Sequence, residues 1–188
     1  KQKTAYEIPK RDWSSDVCSS DLMSIELARV MAKYTFDASI IFMTVVGEDE
    51  GLYGSTAYSN YAHQNNMRID GMITNDVVGN IVGDNGIIDS LSVRHFSSVN
   101  ELTIHRQLSR YMKLKSEFFY PTMFVNLIPA QDRTGRSGDH VPFQNQGYAA
   151  VRFTEPNNNL NFQHNADDIV ANMSPPYTAR DRKSTRLN

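Results

Sequence analysis

The chain has 188 residues, 40% of them apolar and 21% charged, with 19 Lys+Arg against 21 Asp+Glu and a single Cys. That length suits one folded domain with a buried core. The composition excludes a disulfide framework, a low-complexity chain and, for want of a run of about 18 apolar residues, a bilayer span. A formal charge of −2 gives no general attraction to nucleic acid or anionic lipid.

In chain order, the first stretch reads as foreign. The last eight residues, DRKSTRLN (Asp181 to Asn188), can be encoded as GAT CGG AAG AGC ACA CGT CTG AAC. The reverse complement of that string contains TCA GAC GTG TGC TCT TCC GAT, which translates as SDVCSSD, the sequence from Ser15 to Asp21. One end is therefore the antisense of the other, as a sequencing adapter read through at both ends of an insert would leave it. Lys1 to Leu22 and Asp181 to Asn188 are expected to be adapter-derived, and Met23 to Arg180 to be native. Removing seven Lys/Arg and five Asp/Glu from 19 and 21 leaves 12 against 16, a net charge of −4. Cys18 and Trp13 leave with the flank, so no thiol mechanism is expected.

Within the insert, segments rich in β-branched and aromatic residues alternate with segments of helical period, the pattern of an α/β layer fold. Ile25 to Tyr34 reads as a helix. Ala38 to Val46 (ASIIFMTVV) is a continuous apolar run of strand length, which predicts a central strand covered on both faces. Ser55 to Gln64 reads as a helix, Ile69 to Thr74 as a strand, and Leu91 to Phe96 as an alternating strand. Ser98 to Glu101 (SVNE) fits a capping box ahead of a helix carrying Ile104, Leu108, Tyr111 and Met112 on one face, with Arg106, Arg110 and Lys113 toward the solvated face. Thr122 to Ile128 and Ala149 to Thr154 are two further strands.

Four stretches could carry chemistry. GEDEGLYGS, Gly47 to Ser55, places three carboxylates where the apolar run ends, and open α/β sheets put their sites beyond the carboxyl ends of strands. If the backbone turns there, one carboxylate can bind a metal while its neighbour faces the metal-bound water; the competing reading is an acidic solvated turn. ITNDVVGN places Asp76 after a strand, where an Asp also commonly ends strands by bonding to its own turn. GDHVPF contains Asp139 and His140. RFTEPNNNLNFQHNADD contains Glu155, His164 and Asp168, with His164 after an Asn-rich loop. Glu48, Asp49, Asp76 and His164 all fall just beyond expected strands, and neutral His with carboxylates is a ligand set for zinc in a hydrolytic site.

GEDEGLYGS, TNDVVGN, GDHVPF and AVRFTEPNNNLNFQHNADD, in this order over nearly all of Met23 to Arg180, resemble the di-zinc aminopeptidases of metallopeptidase family twenty-eight. The resemblance implies a three-layer α/β fold with a central mixed, mostly parallel sheet, of the phosphorylase/hydrolase-like zinc-peptidase kind, truncated on its N-terminal side. In that family a Glu-Glu-x-Gly-Leu-x-Gly-Ser stretch supplies a general base and then a zinc ligand. Gly51, Leu52, Gly54 and Ser55 set the register here, which carries the base onto Glu48 and the ligand onto Asp49. Asp49 departs from the usual Glu by one methylene. The family's Asp ligand to the other zinc falls on Asp76 and its last His ligand on His164, with Asp168 as a supporting group. His140 and Asp139 match a family motif and are expected to support rather than ligate. Glu155 is a candidate contact for the substrate's free amino group.

The resemblance places the family's first His ligand and its bridging Asp upstream of the helix at Ile25, where adapter sequence stands, so the fragment alone is expected to be inactive. For the intact parent it implies two zinc ions about 3.5 to 4 Å apart and hydrolysis of N-terminal peptide bonds. The expected partner is a peptide with a free N-terminus, with no nucleic acid at a net charge of −4. Two rival readings remain: a glutaminyl-cyclase-like transferase, and a peptidase-like binding domain that has lost its metals. A serine hydrolase is not expected, because GLYGS lacks the nucleophile-elbow pattern. Family members are often exported, which leans toward a secreted or periplasmic location.

Overall fold

The computed structural model describes residues 15–98, 103–130, 138–163, 165–167 and 169–184. In chain order the elements are α1 (Ser15–Met31), α2 (Tyr53–Gln64), β1 (Met72–Asn75), β2 (Ser92–Phe96), α3 (Ile104–Phe119), β3 (Phe124–Ile128), α4 (His140–Asn145), β4 (Ala150–Thr154) and α5 (Pro175–Ser184). The strands form one sheet in the order β1-β4-β2-β3. β1 runs parallel to β4 and β2 parallel to β3, while β2 and β4 are antiparallel, so the sheet is mixed and mostly parallel, as expected.

β4 lies between β1 and β2, and all five of its residues are buried. Successive side chains on a strand point to opposite faces, and here the two faces meet different partners. Phe153 enters the core with Val93, Val125, Met112 of α3 and Tyr177 of α5. Arg152 points the other way, toward the turn that opens α4. With α2 against α4 on that side and α3 with α5 on the other, the domain has three layers.

The clearest correction concerns Ala38 to Val46, which forms no strand. Its Ile40, Ile41, Phe42 and Val46 are exposed, Val46 by 79%. The apolar run records a capacity for burial on both faces, but a strand exists only where a neighbour takes up its backbone groups. β1 is the sheet edge nearest in sequence, and among the described residues its outer side is paired with nothing.

Smaller differences follow from local chemistry. α1 runs back to Ser15, through residues ascribed above to adapter. The N-cap of α3 is Thr103, whose side chain accepts from the Arg106 N–H, rather than a cap at Ser98; residues 99–102 of the expected box lie outside the described residues. The buried stripe of α3 is Ser109, Met112 and Ser116, while Ile104 and Tyr111 are exposed. Two serines give the helix a close approach to the sheet that larger residues would block. Nor is Lys113 simply solvated: its Nζ donates to Glu117 Oε1 at 2.5 Å and to the Val125 carbonyl at 2.8 Å, and Glu117 Oε1 accepts from the Val125 N–H at 2.9 Å. The pair thus satisfies backbone groups of the edge strand β3.

Candidate active site

The segment Gly47 to Ser55 is a tight turn feeding α2. The Gly51 and Leu52 N–H groups both donate to the Glu48 carbonyl, at 3.1 and 3.0 Å, and the Gly54 N–H donates to the Val46 carbonyl at 2.9 Å. Leu52, the N-cap, takes the left-handed conformation at φ 61°. Gly54 is required by space: a β-carbon there would fall 2.7 Å from the Val46 nitrogen. The turn separates the three acids, leaving Glu48 half-buried and Asp49 and Glu50 exposed.

β1 and β4 are parallel, so both carboxyl ends reach the same rim of the sheet. The Asp76 N–H donates to the Phe153 carbonyl at 3.1 Å. Next to it Val77 sits at φ 55°, a strained conformation for a β-branched residue. That bend is held by two bonds to the Val77 carbonyl, from the Glu155 N–H at 2.9 Å and the Thr154 hydroxyl at 3.0 Å. Asp76 Oδ2 lies 3.1 Å from Nε of Arg152, a residue only 3% exposed.

The electrostatics tie these pieces together. Burial pushes the Glu48 carboxyl up to about 8, and the nearby charges of Asp76, Asp49 and Asp139 push in the same direction against the opposing pull of Arg152. Asp139 is also raised, chiefly by burial, against a hydrogen bond from Ser55 and the charge of Arg152. The structure thus brings Asp49, Asp76 and Asp139 within electrostatic reach of Glu48. His140 is buried, and burial followed by Arg152 and His105 lowers its imidazole to about 3, which keeps it neutral. His95 is likewise lowered to about 3, mainly by burial.

Glu155 is also buried. Its backbone carbonyl accepts from Arg94 Nε at 2.8 Å, and its Oε1 accepts from Gln163 Nε2 at 3.5 Å. His164 and Asp168 lie outside the described residues. The Asn-rich loop before them is built by its own amides: Asn159 Oδ1 accepts from the Asn161 N–H, and Asn159 Nδ2 donates to the Val82 carbonyl. Among the described residues no group of three or more His, Cys, Asp or Glu is close enough to hold a metal ion.

Arg152 was not singled out from the sequence. The available sign was a lone cation in the otherwise uncharged strand AVRFT, since a charge buried in a central strand requires a partner.

These groups carry a sign for stability against pH in the metal-free protein. Glu48 is raised, so its contribution is fully present below about 4.5 and is lost as pH rises through about 8. His95 and His140 are depressed, so the folded state loses stability as pH falls from about 6.5 toward about 3. Asp139 is raised and His105 lowered in the same senses, so three histidines act against two carboxyls below about 6.5 and the carboxyls alone act above it, which places the maximum near pH 6.5. Calorimetric melting temperatures across pH 4 to 9 should show it, and a curve still rising at pH 8 contradicts the burial of Glu48.

Asp76 and Glu155 stand just past the carboxyl ends of β1 and β4, whereas Glu48 and Asp49, expected beyond a strand, sit in a turn that no strand precedes among the described residues. The model for Peptidase family M28 matches residues 15–184. A probable zinc metalloprotease of Leptosphaeria maculans is 31% identical over 89% of this chain and 45% of its own length. Among solved structures, the LapA aminopeptidase of Legionella pneumophila superposes with a TM-score of 0.74 at 20% identity, covering 90% of this chain and 44% of that one. An aminopeptidase from Aneurinibacillus sp. strain AM-1 follows at 0.69 and 21%, covering 90% and 38%. The chain belongs to Peptidase family M28. It spans less than half the length of these relatives.

Proposed function

We propose that this chain carries the catalytic base and part of the metal site of a zinc-dependent aminopeptidase. The observation that carries the reading is Glu48, a carboxyl raised to about 8 by burial and by three neighbouring acids. A base needs a pKa near the working pH, and an acidic cluster of this density is relieved by a bound cation.

The residues present fit zinc. Carboxylate oxygens and a neutral imidazole are its ordinary donors, and the repulsion around Glu48 that Arg152 only partly offsets is what a divalent ion would remove. Asp49 and Asp76 would hold the metal, with His164 as the imidazole donor; two ions are the full complement of this reading. Bound zinc supplies polarisation of the scissile carbonyl and a lowered pKa for the attacking water. The Glu48 carboxylate takes the proton of that water on one oxygen and delivers it to the nitrogen of the leaving amine. Asp139, raised chiefly by burial, and the neutral His140 support the acids from the protein side. Glu155, also on the rim, is the candidate contact for the substrate's amino group.

The test is product analysis on the full-length gene product loaded with zinc. A peptide with a free N-terminus should lose its first residue, and the same peptide N-acetylated should not. Cleavage of both alike sinks the exopeptidase reading, and ammonia release from N-terminal Gln peptides points to cyclase chemistry instead.

A further inference from the structure

We propose that Arg152 is a positioning residue of this site, a buried cation that fixes the Asp76 carboxylate in the orientation the metal requires. The inference rests on the metallopeptidase reading and adds to it a residue that touches neither metal nor substrate.

The placement follows from register. β1 and β4 are parallel with Thr74 opposite Arg152, so Asp76 lies two residues further along, on the same face and within diagonal reach of a long side chain. The side chains of Arg152 and Asp76 are 4% and 24% exposed, with Nε 3.1 Å from Oδ2. The space around the pair is closed by Gly138. A β-carbon there would stand 3.1 Å from Asp76 Oδ2 and 3.2 Å from Arg152 Cδ, so any other residue would push against both partners. The Asp76 backbone is fixed as well, by its N–H bond to Phe153 and by the strained Val77 whose carbonyl accepts from β4 and from Glu155. With its main chain hydrogen-bonded and one carboxylate oxygen in ion-pair contact with Arg152 Nε, though without hydrogen-bond alignment, Asp76 is constrained at both ends.

A purely structural explanation accounts poorly for the choice of residue. Replacing a buried ion pair by well-packed apolar side chains is often neutral or stabilising, and Val or Leu would suit a fully buried five-residue strand. An Arg is retained to better purpose where a charge must sit at a defined point. Here it stands among Asp76, Asp139 and Glu48 and offsets part of their repulsion. Partners that orient metal ligands in this way typically account for 10- to 100-fold in affinity.

The experiment compares the full-length gene product with its R152M and R152K variants, each checked for folding by circular dichroism and a cooperative melt. Zinc affinity is measured against a chromophoric chelator, and the visible spectrum of the cobalt(II)-substituted protein reports ligand geometry. R152M should fold and bind zinc about 10- to 100-fold more weakly with an altered cobalt spectrum. R152K, which keeps the charge and loses the planar fork, should fall between. A folded R152M with unchanged affinity and spectrum overturns the proposal and leaves Arg152 as a brace between strands. If R152M does not fold, R152K decides alone, and unchanged zinc binding and spectrum in it overturn the proposal equally. Failure of the unmodified protein to bind zinc or cobalt removes the metallopeptidase reading itself, and this inference with it.

Discussion

Replacing Glu48 by Gln in the full-length, zinc-loaded gene product should leave the metal content unchanged and lower turnover by about 10²- to 10⁴-fold. Gln has the shape of Glu and none of its ability to take a proton. In the proposed mechanism Glu48 moves a proton and ligates nothing, so zinc stoichiometry by elemental analysis should be that of the unmodified protein. The effect should appear in kcat with little change in KM, because proton transfer belongs to the transition state and not to substrate binding. Undiminished turnover takes Glu48 out of the mechanism, and loss of zinc would move it into the ligand set. Its environment also makes the substitution benign for folding, since Gln removes a charge that burial and three nearby acids disfavour.

The largest effect on stability is expected at Phe153. Its ring is fully buried, stacks on His95 at a centroid distance of 4.0 Å and 15° between planes, and joins Val93, Val125, Met112 and Tyr177 in the core. Phe153→Ala should cost about 3–5 kcal/mol, through lost transfer free energy and the cavity left behind. Against a typical total of about 5–15 kcal/mol this is a large share of the stability. Urea unfolding measures it directly, and a cost below about 1 kcal/mol would mean that the core closes over the gap. Phe153→Leu should cost less, because it keeps most of the volume.

Much of the sheet was legible in the sequence. Ser92–Phe96, Phe124–Ile128 and Ala150–Thr154 fall within segments expected to be strands, and Met72–Asn75 overlaps the expected Ile69 to Thr74 and runs one residue past it, because β-branched and aromatic residues bounded by turn formers report local preference and burial together. Ala38 to Val46 carries the same composition and forms no strand, because pairing is a property of neighbours and not of the segment. The candidate site shows in the sequence as motifs: the register of Gly51, Leu52, Gly54 and Ser55 singles out Glu48, a half-buried carboxyl with three acids nearby. Arg152 was not legible as a partner of Asp76. The two are 76 positions apart in the chain, and only the pairing of β1 with β4 makes them neighbours. The cap at Thr103 was misplaced because Ser98 to Glu101 offers the same hydrogen-bonding chemistry five residues earlier.

The parallel pairing of β1 with β4 also bears on how the molecule comes into being. Met72 meets Ala150 only after the polypeptide between them, with β2, α3, β3 and α4, has been laid down and returned. Contacts between such distant positions form late and slowly, because chain entropy is surrendered before any of them is gained. Asp76 and Arg152 therefore become neighbours only in the event that completes the sheet.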